Sequence, residues 1–286
     1  MTGGWWSEAL PTRAQAALVE AWLPTSALIA DLSWGQVDTR VLHVRAEQGE
    51  FIVKAAGLGN HHIGREITAH ERATAPLVRR GAAAPLVAAD RDANVLVTRY
   101  LEGRLVQGSG AEFAPDVHRQ AGRLLRVFHA EAQHDGAGYA QRQTERVLAM
   151  LEQPHRIEAA IVRRARAVLR SSAPAHVPLV PTHGDWQPRN WLVDATGSVR
   201  IIDFGRFDLR PAATDLARLA VQQWRDKPAL EGAFLEGYGA DPRTEPDWSL
   251  TLLREAISTA VWSHRVGDEC FERQGLRMLD EALARF

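Results

Sequence analysis

Residues 179–205 read LVPTHGDWQPRNWLVDATGSVRIIDFG. Two short apolar runs, 191–193 and 199–202, flank the turn formers Asp194, Ala195, Thr196 and Gly197, a pattern that predicts a small β-hairpin. Asn190 enters this hairpin and Asp203 leaves it, so pairing of the two runs brings their side chains together. Asp185 stands five residues before Asn190, on a loop that contains Gly184 and Pro188. Two carboxylates and a carboxamide gathered on loops are hard oxygen donors suited to Mg2+. That ion takes one or two protein oxygens and leaves its other positions to water and phosphate. The remaining aspartate can then accept or orient a hydroxyl proton.

The chain around this stretch has 286 residues, 45% apolar and 24% charged, with a formal net charge of −1. That apolar content and low net charge exclude disorder over most of the length. The near-neutral balance argues against nucleic acid as a partner, which a basic excess would announce. A single cysteine, Cys270, excludes a disulfide framework and a cysteine-built zinc site, and fits a reducing cytoplasm. No apolar run approaches the roughly 18 residues of a membrane span, and the opening lacks a basic start followed by an apolar run, so no signal peptide is expected. His61, His62 and His70 lack an i, i+4 pair and read as helix-start or surface residues, not metal ligands.

Strands are expected at 28–32, 41–45, 51–54 and 94–100, with helices at 14–22 and 63–78. Beyond Gly103 the texture turns helical, at 114–132, 144–151, 156–169, 213–224, 230–238, 248–264 and 275–286. A strand-rich lobe over 1–101 therefore precedes a larger helical lobe over 102–286. Lysine occurs only at Lys54 and Lys227 among 34 basic residues, arginine supplying the rest. Lys54 ends the apolar strand Phe51, Ile52, Val53, where an ammonium without an anion would carry a heavy desolvation cost; phosphate is a sensible partner.

His183, Asp185 and Asn190 in the spacing H-x-D-x-x-x-x-N, followed by Asp203, Phe204 and Gly205, resemble the signature of the protein-kinase-like superfamily. Protein kinases carry Arg where this chain has Gly184, and no A-P-E triplet follows here. Pro211, then Asp215, Leu216 and Ala217 come almost at once, leaving little room for an activation segment. H-G-D-x-x-x-x-N, D-F-G and P-x-x-x-D-L-A together resemble the aminoglycoside phosphotransferase and choline kinase-like family. The resemblance implies an α+β, two-lobed kinase-like fold, with a small strand-rich nucleotide-binding lobe and a larger, mainly helical catalytic lobe. It also implies transfer of the γ-phosphate of ATP or GTP, with Mg2+, to a small-molecule hydroxyl.

Carried over residue by residue, the resemblance makes Asp185 the catalytic group and Asn190 and Asp203 the metal ligands. His183 and Asp215 become structural braces of the loop. Lys54 would meet the α- and β-phosphates and be oriented by Glu66, with Glu71 as the alternative. Ser33 and Gly35 occupy the turn where a phosphate loop is expected, although the glycine-rich pattern is reduced to one glycine. The hinge at Arg99 and Leu101 would present backbone groups to the base. His129 resembles a packed structural histidine.

From Arg206 onward there are fourteen acidic and eleven basic residues. Asp268 and Glu269, with Asp226, Glu231, Asp241, Glu245 and Asp247, suggest a cationic acceptor, and Trp186 and Trp262 are candidates to line its site. With these carboxylates, the family resemblance implies an aminoglycoside or basic peptide antibiotic as substrate, with resistance as the outcome. The alternatives are a macrolide, a metabolite kinase of the choline, homoserine or sugar type, or an inactive nucleotide-binding module. Retention of Lys54, Asp185, Asn190 and Asp203 argues against the last. A cytoplasmic monomer or homodimer is expected.

Overall fold

The computed structural model describes residues 5–34, 38–172 and 177–286. Two short helices, α1 (Trp6–Ala9) and α2 (Arg13–Trp22), open the chain. Thr12 and Gln15 close a capping box at the start of α2, satisfying two of its free N–H groups. Strands β1 (Ala27–Asp31), β2 (Arg40–Ala46), β3 (Gly49–Ala55), β4 (Leu86–Asp90) and β5 (Val95–Arg99) form an antiparallel sheet in the order β1-β2-β3-β5-β4. Between β3 and β4 lie α3 (His62–Arg72) and α4 (Ala75–Val78).

Alternation along β3 decides what each face of this sheet meets. Phe51 and Val53 join Val19, Leu23, Leu42, Val44, Val95 and Val97 in a core beneath α2. Lys54 points the other way, in register with Leu96, toward the face where Ile63 and Ile67 of α3 pack. Ile63, Glu66 and Ile67 share one side of α3 by their i, i+3, i+4 spacing, so Glu66 is carried inward with them.

The second half is built from β6 (Arg104–Leu105), α5 (Pro115–His129), α6 (Tyr139–Met150), α7 (Ala159–Ser171), β7 (Val180–Thr182), β8 (Trp191–Val193), β9 (Val199–Ile201) and β10 (Asp208–Arg210). It closes with α8 (Ala217–Val221), α9 (Pro228–Tyr238), α10 (Asp247–Val266) and α11 (Glu269–Leu283). Its core runs through Leu125, Phe128, Trp186, Trp191, Phe204, Leu216, Phe234, Leu253, Ile257 and Leu279. Strands β7 and β10 pair antiparallel, and β6-β8-β9 form a three-stranded sheet that holds the expected hairpin. No helix among the described residues is long and apolar enough to cross a membrane.

Two expected helices are interrupted. The run 63–78 divides into α3 and α4 because Pro76 lacks an N–H and occupies the first turn of a new helix. The run 213–224 opens as a 3-10 turn over Ala212–Leu216 and becomes α-helical only at α8, ending at Val221. Strands β4, β6, β7 and β10 were not anticipated. Of these, β6, β7 and β10 are two or three residues long, too short for alternation to register.

Helices α5 and α9 approach backbone to backbone. A Cβ on Gly122 would lie 2.1 Å from the carbonyl oxygen of Phe234, and one on Gly237 2.0 Å from that of Arg119. Helix propensity alone favours Ala over Gly by about 1 kcal/mol. Gly122→Ala is nonetheless expected to destabilise the protein by about 2 kcal/mol through forced separation of the helices. Thermal unfolding should show a melting temperature about 4 °C lower; an unchanged or higher value contradicts the close crossing.

Candidate active site

Strand β7 ends at Thr182, and the next three residues, His183, Gly184 and Asp185, hold their shape through a carboxylate 30 residues on in the chain. Asp215 Oδ2 accepts from the His183 N–H at 2.8 Å, and Oδ1 from the Gly184 N–H at 2.6 Å. His129, at the end of α5, donates through Nε2 to Asp215 Oδ2 at 3.0 Å, while its Nδ1 lies 2.9 Å from the Tyr238 hydroxyl. Gly184 is half-buried, and Asp215, His183, His129 and Tyr238 are buried. Burial would raise the Asp215 pKa, but His129, His183 and the Gly184 N–H together hold it below the ordinary carboxylate value. Gly184 sits at φ +78°, and a Cβ there would be 2.4 Å from the Arg206 carbonyl and 2.5 Å from Arg210 Nη1. The loop has no room for the arginine found in protein kinases.

The hairpin does what its spacing predicts. Ile202 donates its N–H to the Asn190 carbonyl at 3.0 Å, and the Ile202 carbonyl lies 3.1 Å from His183 Nε2. Asp203 follows at φ +65°, a left-handed conformation that aspartate tolerates better than most residues. Asp185, Asn190 and Asp203 thus converge on one edge of the hairpin.

Asp185 is buried and closely gripped. Asn190 Nδ2 donates to its carbonyl at 2.8 Å and to Oδ2 at 3.0 Å. Arg189 binds Oδ2 through Nε at 3.0 Å and through Nη2, Gln187 Nε2 donates to Oδ1, and Arg218 Nη1 reaches Oδ1 at 2.8 Å. Arg218 also binds Glu255 Oε1 through Nε at 3.0 Å. Burial would push the Asp185 carboxyl up. Arg218, Arg189 and Arg206 outweigh it and hold the group ionised, well below the usual carboxylate range. Such a group accepts a hydroxyl's hydrogen bond and aims the oxygen. Sequence reasoning missed Arg189, Arg218, Gln187 and Glu255. The first three lie inside or beside the motifs, so proximity in the chain was the available signal; Glu255, on α10, gave none.

Opposite this loop, Lys54 Nζ donates to both oxygens of Glu66 at 2.8 and 2.9 Å and to Asp203 Oδ1 at 3.1 Å. Only 13% of the Lys54 side chain and 5% of that of Glu66 are exposed, whereas half of Asp203 is open. Burial disfavours the ammonium, but Asp203 and Glu66 outweigh it and raise its pKa. For Glu66 burial dominates and the shift is upward despite Lys54. Asp203 is held low chiefly by Lys54. Glu71 faces outward and pairs with Arg91 at 2.6 Å.

Among the described residues no group of three or more His, Cys, Asp or Glu side chains is placed to hold a metal ion. The donor set nonetheless fits magnesium. Asn190 uses its amide NH2 on Asp185 and Asp203 uses Oδ1 on Lys54, so each keeps one oxygen without a protein hydrogen bond. Two hard oxygens completed by phosphate and water satisfy that ion.

Several expected site residues lie elsewhere. Trp186 turns into the core, its ring edge-on to His183 and Trp191, because a side chain of that size gains most by full burial. Asp268 caps α11 by accepting the Phe271 N–H at 3.0 Å, and Glu269 is exposed in the first turn of that helix. Arg99 has its N–H on the Pro85 carbonyl and its guanidinium over the Phe51 ring, leaving Leu101 as the hinge residue whose N–H has no partner among the described residues. Ser33 Oγ accepts the Val41 N–H at 3.0 Å and so pins the turn after β1. Gly35 lies outside the described residues.

Beside Gly184 a cleft of about 1070 Å³ opens between the loop, α6 and α10, with Trp248, Trp262 and Phe271 on its walls. The acidic residues that suggested a cationic acceptor do not line it, Asp247 excepted. Glu231 and Asp241 are paired with Arg243, Glu245 with Arg285, and Asp226 with Arg225.

A profile of the phosphotransferase enzyme family (APH) matches residues 30–249. The chain belongs to that family. Comparison with curated proteins gives no significant match. Among solved structures, this phosphotransferase is similar to choline kinase LicA from Streptococcus pneumoniae, at 15% identity and a TM-score of 0.68, covering 94% of this chain and 97% of that one. A thermostable mutant of aminoglycoside phosphotransferase APH(4)-Ia, in a ternary complex with ADP and hygromycin B, matches at 12% identity and TM-score 0.67, covering 96% and 98%. Macrolide 2'-phosphotransferase type I matches at 17% identity and TM-score 0.62, covering 94% and 98%. The expected kinase-like α+β fold is therefore present, and identities this low leave the acceptor open.

The Phe204 ring of the D-F-G triplet meets His70 edge-on, 5.5 Å between centroids. Burial, aided by Lys54, lowers the His70 pKa from 6.5 to about 4. The unfolded chain then binds more protons than the folded one between these values, so stability is lost as pH falls from about 6.5 toward 4. His70→Phe should flatten that loss by on the order of 2 kcal/mol. Urea unfolding at pH 7 and pH 4.5 measures it, and an identical pH slope in both proteins contradicts the assignment.

Proposed function

We propose that this phosphotransferase transfers the γ-phosphate of ATP or GTP to a hydroxyl of a small molecule in the crevice between the β1–β5 sheet and the helical half, with the lobe boundary at 101/102. The observation that carries the reading is the facing pair of charge clusters, Lys54 with Glu66 and Asp203 on one side and the arginine-held Asp185 with Asn190 on the other. Related folds crystallised with AMP and with ADP and hygromycin B support a nucleotide donor and a small acceptor.

In this reading Lys54 binds the α- and β-phosphates, positioned by Glu66, and Leu101 offers its backbone to the base. Asn190 and Asp203 hold magnesium, which when bound offsets the charge on the transferring phosphoryl group. Asp185 accepts the hydrogen bond of the acceptor hydroxyl and directs its oxygen at the γ-phosphorus, in line with the bond to the β-phosphate oxygen that breaks as the nucleoside diphosphate leaves, and takes the hydroxyl's proton. Its low basicity suits a loose transition state, in which positioning and electrostatics supply most of the acceleration. His183 and Asp215 keep the loop in shape. One exposed, unpaired Cys270 and the nucleotide donor support a cytoplasmic place of action. Of the acids that suggested a cationic antibiotic, only Asp247 lines the cleft among the described residues.

The test combines binding with turnover. Asp203→Ala should weaken Mg-ADP binding at least about tenfold by titration calorimetry. Asp185→Asn should keep that affinity and lower acceptor-dependent ADP release by about 10²- to 10⁴-fold. Near-normal turnover in Asp185→Asn, or nucleotide binding with no acceptor-dependent release from any hydroxyl compound, would overturn the kinase reading.

A further inference from the structure

The cleft beside Gly184 holds more positive charge than its own walls neutralise. Among the described residues that line it are eight arginines and two carboxylates, Asp247 and Glu255. Glu255 is occupied by Arg218, which also holds Asp185. Arg210 reaches a carboxylate, Asp208, only at 3.6 Å, and its remaining bonds go to Thr182 Oγ1 and the Arg206 carbonyl. The guanidinium groups of Arg65, Arg146 and Arg206 have no hydrogen-bond or ion-pair partner among the described residues.

These cations come from separate elements. Arg65 lies on α3, Arg146 on α6, Arg206 just after the D-F-G triplet and Arg210 on β10. The fold brings them together against their repulsion. Arg65 is disfavoured as a cation by burial and by Arg210 and Arg146, with Asp208 opposing. Arg206 is largely screened from water and disfavoured as a cation by that burial and by Arg218 and Arg189, with Asp185 and Glu255 opposing. A partly desolvated cation that no carboxylate hydrogen-bonds is costly, and like charges converging from α3, α6, β10 and the segment after the D-F-G triplet leave an anion as the group that satisfies them. Planar guanidinium forks suit phosphate and carboxylate oxygens.

We propose that the acceptor of this enzyme is an anionic hydroxyl compound. Its phosphate or carboxylate is received by Arg65, Arg146 and Arg210, with Arg206 between that group and Asp185, and its hydroxyl is presented to Asp185. The proposal rests on the kinase reading above and names the class of molecule that the same site phosphorylates. The aromatic walls at Trp248, Trp262 and Phe271 bury the acceptor's uncharged part.

The test uses the full chain with its nucleotide site saturated by Mg-ADP, so that added anions cannot bind there. Calorimetric titration with gluconate, glucose 6-phosphate, glucose, glucosamine and hygromycin B compares a carboxylate, a phosphate, a neutral sugar and two amines. At least one anion should bind about tenfold or more tightly than glucose, and which one does so separates carboxylate from phosphate. Arg146→Ala, on an exposed face of α6, should weaken that binding about fivefold or more and leave Mg-ADP affinity unchanged; Arg65→Ala should weaken it likewise. Tighter binding of either amine, no preference for an anion, or arginine substitutions that weaken Mg-ADP instead would overturn the proposal. Failure of the underlying kinase reading is distinguishable, because it shows as absent Mg-ADP binding or as indifference of that binding to Asp203→Ala.

Discussion

A buried carboxylate, Asp215, organises the centre of this molecule. It is cut off from water and must find its hydrogen bonds inside, and it takes them from the N–H groups of His183 and Gly184 and from the His129 ring. His183 and Gly184 lie in a loop between a three-residue strand and a 3-10 turn, where no regular ladder would define the backbone. Satisfying Asp215 therefore sets the loop's shape. Tyr238 extends the chain of polar contacts to α9, and the glycine-mediated crossing of α5 and α9 holds His129 and Tyr238 within reach of each other.

From that anchored loop the electrostatics of the site follow. Asp185 is presented to a group of arginines that keep it ionised, while Lys54 is presented to two carboxylates that keep it charged. Each cluster is nearly closed on itself, so its charges stay in position without a ligand. Preorganised charge of this kind suits phosphoryl transfer, where the protein contributes placement and field. Glu255 and Arg218 carry the second cluster into the cleft beside Gly184, linking Asp185 to its wall.

Much of this was legible from the chain. The turn 194–197 between two apolar runs led directly to the hairpin that joins Asn190 and Asp203. Glu66 was preferred to Glu71 on the family resemblance, and only the packed helix shows Glu66 on the face of Ile63 and Ile67 while Glu71 faces Arg91 and solvent. Trp186 was misread because a residue next to a polar motif need not share its exposure. Asp268 and Glu269 were misread because a charge count over a region does not say which way any side chain points. One caps a helix and the other faces solvent, and most other acids of the tail are bound to arginines.

The sequence by itself determined the short-range chemistry: the hairpin, the oxygen donors at 185, 190 and 203, and the strand lysine at 54. Those features depend on residues a few positions apart, where covalent geometry and alternation leave little freedom. Only the tertiary structure decided the charge of the cleft beside Gly184. Arg65, Arg146, Arg206, Arg210 and Arg218 become neighbours of one cavity through packing of α3, α6, β10 and α8, and most of the carboxylates that balance them in the composition face other surfaces. Net charge sums over a chain, whereas a ligand meets the local field of the few side chains that the fold gathers around it.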